Sequence, residues 1–117
     1  MSTDSEKKIT SLFLIQEDDR LALTKHVDFL NLTGNKTSKN DCLLIALSEY
    51  LEKSISTQQE PISPAPPLRQ FTVRTSPALK QQVLVVAANW QIKTGMPVSM
   101  NAVFNTALKL YLQKHHS

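Results

Sequence analysis

Along RQFTVRTSP, residues 69–77, apolar and polar side chains alternate until a serine and a proline end the pattern. Successive strand residues face opposite sides, so Phe71 and Val73 belong to one face and Gln70, Thr72 and Arg74 to the other. The period then changes. Leu79, Val83, Val86 and Trp90 recur at i, i+4, i+7 and i+11, the spacing of a helical face, and Leu84, Val85 and Ala88 make the other side apolar too. That combination predicts a helix buried over most of its surface. Gly95 suits the left-handed residue that ends such a helix, and Ser99 suits the N-cap of the next. Val103, Phe104, Ala107, Leu108 and Tyr111 then give that next helix its apolar face.

The same pattern occurs once before. TGNKTSKNDCLLIALSEYLEK (33–53) set over TGMPVSMNAVFNTALKLYLQK (94–114) gives nine identities in 21 positions, where average composition yields about one. Gly34, Ser38 and the stripe Cys42, Leu43, Ala46, Leu47 and Tyr50 take the places of their later counterparts. An earlier helix carries Leu23, Val27 and Leu30, flanked by Ala22, His26 and Phe29, with Glu17, Asp18 and Asp19 at the positive end of its dipole. His26 reads as a packed core histidine. Phe13 aligns with Phe71, Ile15 with Val73 and Leu21 with Leu79 at an offset of 58, whereas the later block needs 61. The second copy is therefore expected to carry about three extra residues in its first helix.

Between the copies, SISTQQEPISPAPPL (54–68) holds four of the six prolines and reads as an extended, semi-rigid spacer. Fifteen residues reach roughly 45–50 Å when extended, enough for the second strand to return antiparallel beside the first. A single strand leaves its backbone groups unpaired and cannot close a core with two short helices, so the expected architecture is mostly α with a two-stranded antiparallel β-ribbon over four helices. Phe13, Ile15, Phe71 and Val73 would face the core. The units are expected at 9–53 and 69–114.

Composition narrows the function. With 117 residues and two glycines, neither a large catalytic cleft nor a glycine-cradled phosphate site can be built. One cysteine allows no internal disulfide and no zinc cluster, so no cofactor or metal is expected. MSTDSEKK has no apolar h-region and no run is long enough to span a membrane; the expectation is a cytoplasmic, nucleoid-associated protein without membrane contact. Net charge is +3, unevenly divided: seven Lys/Arg against nine Asp/Glu up to Lys53, then six against the lone Glu60. The cationic second half points to a polyanionic partner.

Strand, helix, TG and capped helix, with QFTVR as the strand, resemble the ribbon-helix-helix family of DNA-binding proteins, the Arc and MetJ type, twice over from about residue 9 to 114. The resemblance implies tandem units forming an intramolecular pseudo-dimer that places its ribbon in the major groove. By position, it makes Gln70, Thr72 and Arg74 base readers and gives the helix start at Ser99, Met100 and Asn101, with Arg69, to phosphate. The first copy departs from the pattern: its outward residues are Leu12, Leu14 and Gln16, followed by three acids that repel phosphate. Either this half reads thymine methyls or it has become structural; Lys36, Ser38, Lys39 and Asn40 still offer it a phosphate grip. Fused, unequal units imply double-stranded DNA with an asymmetric operator, bound as a monomeric pseudo-dimer or a further homo-oligomer on DNA.

The implied role is a transcriptional repressor or regulator, or an accessory protein of plasmid, conjugative or mobile-element DNA processing. The competing role is a protein-interaction module, such as an antitoxin or assembly partner, with Leu12 and Leu14 as its sticky surface. An enzyme is not expected, since no carboxylate pair, Ser/His/Asp set or metal cluster occurs at workable spacing. His115 and His116 read as a frayed end.

Overall fold

The computed structural model describes residues 8–115. Its elements are β1 (Ile9–Gln16), α1 (Glu17–Leu32), α2 (Lys39–Leu51), β2 (Leu68–Thr75), α3 (Pro77–Thr94) and α4 (Met100–His115). The fold is mostly helical, with β1 and β2 forming one antiparallel sheet. No helix among the described residues is long and apolar enough to cross a membrane.

The strands pair with Phe13 opposite Phe71, Leu12 opposite Thr72, Leu14 opposite Gln70 and Thr10 opposite Arg74, so the apolar rows of both fall on one side. Phe13, Ile15 and Val73 are buried and Phe71 is half-buried. Below them α2 and α4 form the floor, with the Phe13 ring lying against that of Phe104. Both helix stripes read from the sequence are buried throughout, including Cys42. The turns follow the same economy. Gly34 and Gly95 have φ of 92° and 74°, where a Cβ is strained, while Ser38 Oγ accepts from Asp41 N and Ser99 Oγ from Ala102 N, each at 3.1 Å.

Four expectations are corrected. The helix α3 buries one side only: Val83, Ala87 and Trp90 are covered, but Leu84, Val85 and Ala88 are exposed, because α3 lies at the outside of the bundle. The extra residues of the second copy are not one inserted helical turn. β2 runs to Thr75 and α3 waits for a Ser76 cap bonded to Leu79 N, whereas α1 follows β1 directly; α3 itself is only two residues longer, 18 against 16. His115 is not frayed but ends α4 with its ring 4.4 Å from that of Tyr111, whose hydroxyl lies 2.9 Å from Nε2 of a half-buried His26; His116 lies outside the described residues.

The fourth correction concerns the connector, which gives up Leu68 to β2 and is docked rather than free. Gln58 is buried; its Nε2 donates to the carbonyls of Tyr50 and Lys53 at 3.2 and 3.1 Å, and its Oε1 accepts from Trp90 Nε1 at 2.9 Å. Further along, Ile62 N donates to Thr106 Oγ1 at 2.8 Å, and Pro67 O accepts the first amide of α1, that of Glu17, at 3.0 Å. An otherwise uncapped helix is thus closed by linker backbone. Replacing Gln58 with Ala leaves the Trp90 indole N–H and the Lys53 carbonyl without this partner and takes one of two donors from the Tyr50 carbonyl. Urea unfolding should show a loss of about 1–3 kcal/mol, with altered emission from the single tryptophan; an unchanged midpoint would exclude a docked linker.

Candidate nucleic-acid interface

Alternation leaves one face of the ribbon open. Thr10, Leu12 and Leu14 of β1 and Gln70, Thr72 and Arg74 of β2 are all exposed, Leu12 by 59% and Leu14 by 38%. Exposed leucines on a sheet face are unfavourable in water unless something covers them. Arg74 makes no ion pair among the described residues, although its backbone is held at both polar atoms: Asn40 Oδ1 accepts from its N–H at 2.8 Å and Asn40 Nδ2 donates to its C=O at 3.2 Å.

The other free edge is held by α4. Asn105, 1% exposed, accepts from Gln16 N at 3.2 Å and donates to Leu14 O at 2.9 Å and Asn101 O at 2.8 Å, while Asn101 Oδ1 accepts from Leu14 N at 3.4 Å. Each strand's outer edge is therefore bonded by a helix from the other half of the chain. These amides satisfy backbone groups that a two-stranded sheet leaves open, and they stop the ribbon from sliding or pairing with another edge. The side chains of Asn40 and Asn101, at the helix starts expected to hold phosphate, are occupied in this way. Their backbone amides are not: Ser99 takes the amides of Ala102 and Val103, leaving Met100 and Asn101 as open donors of α4, and Ser38 likewise leaves Lys39 and Asn40 open in α2.

Two expected site residues are engaged elsewhere. Gln16 is half-buried and its Oε1 accepts from Ala65 N at 3.2 Å, so its side chain serves the linker. Arg69 belongs to the inward row, opposite Ile15, and its Nε lies 2.8 Å from Glu17 Oε1. The acids after β1 are largely neutralised within the chain: Glu17 also binds Arg20 at 2.9 Å, and Lys109 Nζ lies 3.1 Å from Asp19. With Lys114 paired to Glu49, three of the six second-half cations answer first-half acids, so much of the charge asymmetry is internal.

Lys80 was missed. It lies beside Ser99, Met100 and Asn101 in a shallow hollow whose other wall is Thr10, Ser11, Leu12 and Phe13, and it makes no ion pair among the described residues. A lysine in a helix far from any motif gives no sequence signal of this. The start of α4 has no acidic residue in its first turn, whereas α2 carries Asp41 there beside Lys39; Lys36 stands in the loop before it. The α4 end is the better anion site of the two. Among the described residues, no group of three His, Cys, Asp or Glu could hold a metal ion. Comparison of the chain with protein-family models, curated proteins and solved structures gives no match.

Two outcomes test this geometry. Asn105→Ala should cost about 1–3 kcal/mol by unpairing part-buried backbone groups, and hydrogen exchange should speed up at Gln16; protection unchanged there would rule out the clamp. The hydrogen bond from Arg20, aided by Arg69, holds the Glu17 carboxyl at about 2, down from 4.5. Its contribution is present above pH 4.5 and fades as pH falls towards 2. Wild type should exceed Glu17→Gln in stability at pH 7 and converge with it near pH 2; a gap independent of pH would exclude the ion pair.

Proposed function

We propose that the chain is a tandem ribbon-helix-helix protein, an intramolecular pseudo-dimer, that binds double-stranded DNA with its ribbon in the major groove. Its role would be that of a transcriptional regulator or an accessory factor of plasmid or mobile-element DNA processing. One observation carries the reading: an arginine with no ion pair among the described residues, a glutamine and a threonine stand exposed in one row of a ribbon whose backbone is clamped at both edges. A ribbon of two strands fits the major groove, where Arg can donate two bonds to guanine O6 and N7 and Gln can pair with adenine N6 and N7. The open amides of Met100 and Asn101 with Lys80 on one flank, and of Lys39 and Asn40 with Lys36 on the other, suit phosphates.

The exposure of Leu12 and Leu14 supports the second reading, a protein-binding face. The two readings part on salt. DNA binding through a few phosphates makes log affinity fall linearly with log salt. Arg74→Ala should cost about 1–3 kcal/mol of affinity for a selected duplex and relax preference at one base position, while Lys80→Ala weakens all sequences alike. Equal binding of Arg74→Ala and wild type to the selected duplex would remove the major-groove reading.

A further inference from the structure

We propose that each cross-strand pair on the open face matches both edges of one base pair, so that the ribbon reads its site in a single direction; this rests on the DNA-binding reading above. The register sets three pairs in line: Arg74 with Thr10, Thr72 with Leu12, and Gln70 with Leu14. Facing Cβ atoms in such pairs stand about 4.5–5.5 Å apart, so both side chains reach one base pair together. Successive pairs are two residues apart, about 6.6–6.8 Å, close to two base-pair steps of about 3.4 Å.

The chemistry of each pair then selects its partner. Arg74 donates twice to guanine O6 and N7, and the Thr10 hydroxyl accepts from the N4 amino group of the paired cytosine. Gln70 bonds adenine N6 and N7 in both directions. Leu14 beside it has no polar atom, and the one apolar group the major groove displays is the thymine methyl of that same pair. Thr72 and Leu12 repeat the arrangement at the centre, the hydroxyl towards adenine and the leucine towards a methyl. Every purine contact comes from β2 and every pyrimidine contact from β1. The expected core is a guanine with adenines two and four positions away on one DNA strand, faced by cytosine and thymines on the other.

The order is not mirrored. With Phe13 facing Phe71, the residue that corresponds to Arg74 in the first half is Gln16, and its side chain is bonded to Ala65. No second guanine reader stands at the far end, so a single copy has no use for a palindrome.

The test is selection of bound duplexes from a random pool by the full chain, followed by titration of the winner with deoxyuridine in place of each core thymine. Recovery of the unmirrored order, with a loss of about fourfold per deleted methyl that disappears in Leu12→Ala for the central position and Leu14→Ala for the outer one, supports the proposal. A palindromic winner, or affinity indifferent to the methyls, overturns the direct pairing while leaving DNA binding intact. A pool from which no duplex is retained overturns both. Leucine variants that keep full DNA affinity but lose a bound protein partner overturn the direct pairing alone, since they assign Leu12 and Leu14 to that partner.

Discussion

Everything in this protein depends on the backbone pairing of two strands that lie far apart in sequence. One strand cannot satisfy its own N–H and C=O groups, and two short helices cannot cover a core. When β2 returns antiparallel beside β1, one side of the ribbon closes over α2 and α4, and the other presents a flat row of side chains. The parity of the register decides which residues belong to which side. A slip of β2 by one residue would bring Val73 to the surface and Arg74 into the core.

Such a ribbon is weak by itself, and the chain strengthens it with polar groups placed where an apolar residue would have packed. Asn105 and Thr106 interrupt the buried face of α4, and each reaches out of the core to hold something: Asn105 the outer edge of β1, Thr106 the linker. Gln58 does the same for the connector and Trp90. Burying an amide is tolerable only when its hydrogen bonds are complete, so these residues specify one arrangement of strand, linker and helix and resist others. A clamped backbone also loses less conformational freedom when its exposed face binds a partner.

Charge is arranged in two layers. Lys109, Lys114 and Arg69 are drawn towards acids of the first half and join the two halves. Arg74 and Lys80 remain outside that network, close to the ribbon and the α4 start. Net charge of +3 is thus a poor guide to where an anion would sit; the distribution after pairing is a better one.

Local patterns determined a great deal. Alternation around Phe71 and helical spacing along Cys42 to Tyr50 and Val103 to Tyr111 named the strand faces and both inner helix faces, because side-chain direction follows backbone period. The repeat located the glycine and serine punctuation and aligned Phe13 with Phe71 as counterparts in the two strands. What remained hidden required contacts between distant residues: the exposed outer side of α3, the docking of Gln58, the engagement of Gln16, Arg69, Asn40 and Asn101 within the chain, and the approach of Lys80 to the α4 start. Spacing along a chain reports which way a side chain points, but what it meets there depends on segments brought close only when the ribbon has formed. For this protein the sequence chose the faces, and the tertiary structure chose their partners.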